Sequence, residues 1–142
     1  MAGGRAQASG GTATATKHTC GAQDKQFIRA AALSTTALTM LGQDYQSGAL
    51  GPKEAISETR DAEIGIRITA PRDPSLKLAR TLMRGMMDEY ERAVRAQWKG
   101  QGDAGQHMYR SYAFANYGHG VLVQAQPALG KLGCSVADLL QQ

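Results

Sequence analysis

The sequence has few aromatic residues, only two cysteines and no long apolar run, and each shortage excludes a class of structure. Aromatic residues make up 6% of the chain while alanine is abundant, which favours closely packed helices over a β-sandwich. No window reaches the run of about 18 apolar residues that a membrane-spanning helix needs, so we expect no transmembrane span. Residues 1–19 lack the apolar core of a signal peptide and predict a disordered tail, followed by a helical domain over residues 20–142.

Positive charge is also too thinly spread to form a nucleic-acid interface. The formal net charge is +4, and it comes from two separate stretches. Residues 1–23 contribute two bases and no acid, and residues 73–100 hold six bases against four acids. A phosphate backbone is normally tracked by a dense basic face, so we expect no nucleic-acid partner.

Helix-capping and helix-breaking residues divide the chain into four long helices and one short one. The predicted helices cover residues 24–46, 52–69, 74–98, 103–130 and 136–140. The loop between the third and fourth helices is short, so these two should be antiparallel neighbours. We therefore predict an all-α fold, an antiparallel four-helix bundle with a short C-terminal helix.

The two cysteines flank the predicted helices almost symmetrically. Cys20 precedes the first helix, and Cys134 follows the Gly130–Gly133 break that closes the fourth. Four helices running up and down bring these two points to the same end of a bundle, so we predict a Cys20–Cys134 disulfide. The alternative is a pair of unrelated buried thiols. A disulfide implies an oxidising compartment, and we expect an exported protein, secreted or attached to the cell envelope.

The segment Tyr117–Gly120 is unusual because it places two glycines inside a helix, each costing about 1 kcal/mol relative to alanine. A close helix crossing, a kink or a ligand near the backbone would compensate. Pairing the third and fourth helices about Gln101 puts His119 near Met83, with Met86 one turn away. Imidazole and thioether groups together are ligands for Cu(I) or for haem iron. The candidate ligand or metal residues are therefore His119, Met83, Met86 and Tyr117, although methionine at helical spacing is also ordinary core.

Other catalytic and metal-binding patterns are missing from the sequence. Asp103 and His107 share a helix face, but two ligands do not make a zinc site, and an N-cap role explains Asp103. There is no Glu-x-x-His motif of a di-iron bundle, no Gly-x-Ser-x-Gly elbow and no Cys-x-x-Cys pair. We therefore predict no catalytic residues and no enzyme activity, and the sequence leaves the cofactor unknown.

Two helix starts carry a family resemblance. Asp24-x-x-Phe27 opens one helix, and Asp73-Pro74-Ser75-Leu76-x-Leu78-Ala79 opens a later one. Over residues 24–98 the chain resembles exported bacterial four-helix-bundle domains of the ferritin-like kind. Metal-handling relatives of that kind carry histidines in the first and third helices, whereas residues 30–41 and 81–92 here contain none. The resemblance implies a bundle and export, and its departure from the pattern argues against metal handling.

These observations lead to an exported, non-enzymatic bundle that binds a partner protein or a small ligand. The alternative is a small copper or haem carrier that uses His119 and the neighbouring methionines. A cytosolic nucleic-acid-binding protein would instead require reduced cysteines and a contiguous basic face.

Overall fold

The structure, a computed structural model, describes residues 19–141, and this part of the chain is helical with no strand. Its helices are α1 (Ala22–Ser47), α2 (Pro52–Arg67), α3 (Pro74–Trp98), α4 (Ala104–Lys131) and α5 (Ala137–Leu140). The predicted all-α fold with four long helices that pack together is confirmed. Within residues 19–141, no helix combines the length and apolar character needed to cross a bilayer. The predicted tail, apart from residue 19, lies outside the described residues.

The helix ends follow from local chemistry. Gly48 terminates α1 with φ at 83°, a left-handed conformation in which glycine has no Cβ penalty. Pro52 and Pro74 occupy the first helical position of α2 and α3. A backbone N–H at that position has no intrahelical partner, so the N–H that proline lacks costs the helix no hydrogen bond. The carboxylate of Asp73 caps α3 by accepting the N–H groups of Ser75 (2.8 Å) and Leu76 (3.1 Å).

Asp24 and Asp103 stand at predicted helix starts, but neither side chain acts as the N-cap of its helix. α1 begins before Asp24, at Ala22, and the Asp24 carboxylate is 1% exposed. Its Oδ1 accepts the backbone N–H groups of Arg72 (2.6 Å) and Asp73 (3.0 Å), which joins the start of α1 to the start of α3. The Asp103 side chain makes no capping hydrogen bond at the start of α4. Oδ2 of Asp24 also accepts the backbone N–H of Gly21 (3.3 Å), and Oδ2 of Asp103 lies 3.2 Å from Nε2 of His107, one turn along α4.

Two apolar clusters form the core. The larger lies between all the helices and includes Phe27, Ile66, Leu76, Met87, Leu129 and Val136. The smaller lies near the α1–α2 turn and consists of Leu41, Ala55, Ile56 and Val94. Burying each large side chain contributes about 1.5–3 kcal/mol relative to leaving it in water. Trp98, the last residue of α3, is 52% exposed.

A Cys20–Cys134 disulfide closes the chain, with the two Cα atoms 5.3 Å apart. This confirms the predicted pair, and the alternative of two unrelated thiols is wrong. The backbone N–H of Cys20 donates to the carbonyl oxygen of Leu132 (2.8 Å), and that of Cys134 donates to Leu129 (2.8 Å). The start of α1 is therefore fixed to the end of α4 by one covalent bond and one hydrogen bond.

Consecutive helices pack along one another, whereas α1 and α4 make almost no direct contact. The hydroxyl of Ser34 on α1 donates to the carbonyl oxygen of Ala62 on α2 (3.0 Å). The hydroxyl of Ser111 on α4 donates to the carbonyl oxygen of Met86 on α3 (2.9 Å). The space between α1 and α4 is left as a groove.

Candidate functional site

The α1–α4 groove is defined here as the space between α1 and α4 with α3 beneath it. Its volume is about 570 Å³, within the range typical of small-molecule sites. α1 contributes residues from Thr35 to Gln46 to one wall, and α4 contributes residues from Met108 to Leu122 to the other. At 1.5 Å per residue, the α1 wall is about 16 Å long, the length of a small organic ligand rather than of an ion.

Most of the groove surface is apolar. Large apolar side chains from three helices line it: Leu38, Met83, Met86, Met108, Phe114 and Leu122. Leu139 of α5 lines the end near the disulfide. Methionine side chains are flexible and polarisable, so a surface with three of them can adapt to ligands of irregular shape.

The described lining of the α1–α4 groove contains no Asp, Glu, Lys or Arg. The polar groups are hydroxyls, amides and one imidazole, that of His119. Charged residues make up 20% of the whole chain, so their absence here is specific to this surface. A buried ligand charge would find no opposite charge, and desolvating it would oppose binding.

Phenol groups gather at the end of the groove away from the disulfide. Tyr45 on α1, Tyr90 on α3 and Tyr112 on α4 all line it there. The Tyr45 hydroxyl donates to Oε1 of Gln97 (2.6 Å), which joins the last turns of α1 and α3. Burial raises the pKa of Tyr90, and the neighbouring phenols of Tyr45 and Tyr112 raise it further. Tyr90 therefore stays protonated and available as a hydrogen-bond donor.

Three of the four residues singled out from the sequence meet in this groove. Met83, Met86 and His119 all line it, with Met83 9% exposed and His119 exposed on the rim. Tyr117 does not join them: it is 71% exposed and lines a separate depression on the outer face of α4. The sequence pairing of His119 with Met83 thus corresponds to one shared surface, while Tyr117 points elsewhere.

The two glycines beside His119 have different surroundings. A Cβ on Gly118 would lie 3.6 Å from Cβ of Leu82, so Gly118 marks the close crossing of α3 and α4. A Cβ on Gly120 would meet nothing within 4 Å, and nothing in the structure explains this glycine. Of the three explanations offered for the segment, the helix crossing accounts for Gly118.

A second polar cluster lies between α3 and α4 near their loop. Nδ1 of His107 is 2.6 Å from Oε2 of the buried Glu89, and Nε2 is 3.2 Å from Oδ2 of Asp103. A neutral imidazole has one N–H, so both contacts are hydrogen bonds only when the ring or one carboxyl group carries an extra proton. The Ser111 hydroxyl, one turn further along α4, donates to a backbone carbonyl instead of to His107. The cluster joins two helices and does not activate that hydroxyl as a nucleophile.

A third group combines residues that hold metals in other proteins. The ligand atoms of Cys20, Asp24 and Cys134 lie within 4.8 Å of one another. Both sulfur atoms are bonded to each other, however, and the Asp24 carboxylate accepts backbone N–H groups. These residues therefore fasten the ends of the helices.

Charge concentrates on the opposite side of the molecule, between α2 and α3. Glu91 accepts hydrogen bonds from Arg60 (3.1 and 3.0 Å) and from Arg95 (2.6 Å). Burial alone would raise the pKa of Glu91, but these hydrogen bonds and the two positive charges outweigh it and lower that pKa. Arg84 and Glu63 form a further pair at 2.7 Å. Because each carboxylate here has an arginine partner, the surface is an ion-pair network that holds the two helices together.

Sequence reasoning missed the groove, although the sequence carries a signal for it. Residues 30–43 and residues 111–130 contain no Asp, Glu, Lys or Arg, and these stretches supply most of the two walls. An exposed helix normally has a charged outer face, so uncharged helices facing each other indicate a surface that holds something apolar. Glu89 was missed because nothing in its local pattern distinguishes it from the solvated acids beside it.

Comparison with protein-family models, with curated proteins and with solved structures found no match to this chain. Its function is therefore inferred from its own residues.

Proposed function

We propose that this protein is a non-enzymatic binding protein that holds a small, uncharged and mainly apolar molecule in the α1–α4 groove. The observation that carries the proposal is a 570 Å³ groove whose described lining is rich in methionine and aromatic residues and contains no Asp, Glu, Lys or Arg. Between the two occupants that the sequence left open, these features favour a small ligand over a partner protein.

The chemistry of the lining supports this choice of ligand. Ligand sites are typically apolar with a few placed polar groups, and the tyrosines at one end supply such groups. Protein interfaces usually add a polar rim to an apolar centre, and the described lining of the groove offers a partner protein no charged group.

Two dyes with the same ring system test the proposal. N-phenylnaphthylamine is uncharged and apolar, and anilinonaphthalene sulfonate adds one sulfonate to the same rings. We expect saturable fluorescence enhancement with the uncharged dye and at least about tenfold weaker binding of the sulfonated one, because its charge finds no partner in the groove. Equal affinity for the two dyes, or no saturable binding of the uncharged one, would contradict the proposal.

A matched pair of variants locates the binding. Ala115 lines the groove, whereas Ala113 lines the depression on the outer face of α4, and both are partly buried. Ala115→Phe fills the groove and should weaken binding of the uncharged dye about tenfold or more. Ala113→Phe adds the same ring outside the groove and should leave the affinity unchanged. If the two variants behave alike, the dye binds elsewhere.

A second candidate function is a soft-metal or haem site on the same surface. It is favoured by one observation: His119, Met83 and Met86 line a single groove. The thioethers and the imidazole are ligands that Cu(I) accepts, and a histidine–methionine pair is an axial set for haem iron. On this proposal the three side chains supply the ligands, and the apolar lining surrounds the bound group.

Titration separates this candidate from the first. Cu(I) binding is measured by competition with a chelator, and haem binding by the Soret band, on the wild type and on His119→Asn. The candidate predicts at least about tenfold weaker binding in that variant. Unchanged Cu(I) and haem affinities would remove it, and His107→Asn serves as the control because His107 lies between two carboxylates outside the groove.

We also propose an exported location and an antiparallel four-helix arrangement, with Ala137–Leu140 as a short C-terminal helix. The disulfide supports export because such bonds persist in oxidising compartments. The contacts between Met86 and Ser111 and between Glu89 and His107 support the arrangement, since later positions in α3 meet earlier positions in α4. The resemblance to exported ferritin-like bundles agrees with both. Alkylation of free thiols as the cells are opened tests the compartment: alkylation of both Cys20 and Cys134 would oppose export.

A further inference from the structure

We propose that the ligand of the α1–α4 groove carries a hydrogen-bond acceptor, such as a ketone, ester or amide carbonyl, that binds the hydroxyls of Tyr90 and Tyr112. This inference rests on the proposed function and adds an orientation: the acceptor lies at the tyrosine end, and the apolar body extends towards Leu122 and Leu139. The ligand class is therefore a neutral carbonyl compound with an extended apolar part.

The first support is the hydrogen-bond status of the three phenols. The Tyr45 hydroxyl is occupied because it donates to Gln97 at 2.6 Å. The hydroxyls of Tyr90 and Tyr112 have no hydrogen-bond partner within residues 19–141. Both residues line the groove, and they lie on its floor and on its α4 wall. Two free donors from different helices therefore converge on the same end of one cavity.

The second support is the charge of the surroundings. The described groove lining contains neither cation nor anion, and its side-chain donors at this end are the phenols and the amide groups of the glutamines beside them. A carboxylate or phosphate ligand would bring a charge that no arginine or lysine there neutralises. A neutral carbonyl oxygen, in contrast, accepts two hydrogen bonds without that cost. Burial and the neighbouring phenols raise the pKa of Tyr90, so it remains a donor at physiological pH.

The third support is the position of Tyr90 on the floor of the groove. A Cβ on Gly42 of α1 would lie 3.7 Å from the Tyr90 hydroxyl oxygen, so this hydroxyl reaches across the floor to the opposite helix. Tyr112 is 59% exposed at the rim. A ligand carbonyl between them would close this end of the groove, where Tyr45 and Gln97 already join α1 to α3.

The test uses two neutral dyes, one with a carbonyl and one without. Prodan is a naphthalene ketone whose emission moves to longer wavelength when its carbonyl accepts a hydrogen bond, and N-phenylnaphthylamine has no carbonyl. We expect both to bind the wild type. Tyr90→Phe and Tyr112→Phe should each weaken prodan binding about 3- to 10-fold and shift its bound emission to shorter wavelength, with little effect on N-phenylnaphthylamine.

Controls keep the outcomes separate. Tyr109→Phe and Tyr117→Phe remove hydroxyls from exposed α4 tyrosines outside the groove and should change neither dye. If both dyes bind the wild type but the Tyr90 and Tyr112 variants leave prodan affinity and emission unchanged, the carbonyl assignment is overturned while the groove remains a ligand site. If neither dye binds the wild type, the proposed function fails and this inference fails with it. Circular dichroism of each variant confirms that it is folded, and the bound prodan emission of the wild type supplies a readout that needs no variant.

Discussion

Phe114 of α4 lies directly against the backbone of Gly85 on α3. A Cβ placed on Gly85 would be 2.9 Å from Cε1 of Phe114, closer than side chains approach one another in folded proteins. Gly85 therefore leaves space for an aromatic ring that also lines the α1–α4 groove. Since glycine in a helix interior costs about 1 kcal/mol relative to alanine, this position exchanges helix stability for a close α3–α4 contact.

Gly85→Ala tests that relationship. The gain in helix propensity and the displacement of the Phe114 ring should nearly cancel, which leaves the free energy of unfolding within about 1 kcal/mol of the wild type. The displaced ring should enter the groove and lower the affinity for N-phenylnaphthylamine several-fold. Dye titration and chemical denaturation measure the two effects. Gly105→Ala is the control, because a Cβ there meets nothing within 4 Å; equal dye affinities in the two variants would contradict the prediction.

Removing the disulfide should produce the largest loss of stability among these changes. The bond joins residues 114 positions apart, and the chain-entropy estimate for a loop of that length is about 4–5 kcal/mol. We expect Cys20→Ser with Cys134→Ser to lower the free energy of unfolding by about that amount in urea denaturation. Reduction of the wild type with a phosphine should give a similar loss. A double variant that unfolds at the wild-type urea concentration would show that the bond does not restrict the unfolded chain.

Asp24 should be the most sensitive acidic residue of α1. It is buried, and its carboxylate satisfies the backbone N–H groups of Arg72 and Asp73. Asp24→Ala leaves those donors without their acceptor and should cost about 2–4 kcal/mol in thermal or chemical unfolding. Asp24→Asn keeps a side-chain oxygen as acceptor and should cost about half as much. Asp44→Ala, at an exposed position of α1, should change stability by less than about 0.5 kcal/mol.

Stability in acid should depend on Glu91. Its folded-state pKa is lowered, so its interactions stabilise the fold at pH values above the ordinary glutamate value of 4.5. That stabilisation is lost as the pH falls below 4.5 and through the lowered folded-state value. The stability difference between the wild type and Glu91→Gln should therefore be constant near neutral pH and shrink in acid, as urea midpoints at several pH values would show. Asp88→Asn breaks the more exposed pair with Arg92 and should have little effect at any pH; a difference for Glu91→Gln that grows in acid would reverse the predicted sign.

Much of the helical framework was predictable because it depends on neighbours in sequence. Gly48, Pro52 and the Asp73-Pro74 pair act within one turn of themselves, and the structure places helix ends at each. Pro127 lies inside α4, which continues to Lys131, one residue beyond the predicted end. The packing of α4 on α3 holds that helix together despite the proline, and local rules do not include such packing.

The candidate site was predictable only in part, for the same reason. Counting residues from the α3–α4 loop put His119 near Met83, because a short loop fixes the register of two adjacent helices. The same counting sets Tyr112 opposite Tyr90, but it could not show which way Tyr117 faces or that the two phenols line a groove. Whether an open groove exists beside them depends on how far α1 stands from α4.

The shortage of aromatic residues, the two cysteines and the uncharged stretches are properties of the sequence alone. They predicted an all-helical domain, a disulfide between Cys20 and Cys134, and two helices with unusually little charge. Only the tertiary structure decided that α1 and α4 stand apart over α3 and enclose a groove between them. The physical reason is that helix formation follows from interactions within a few residues, whereas the separation of two helices is set by the side chains of every helix that packs between them.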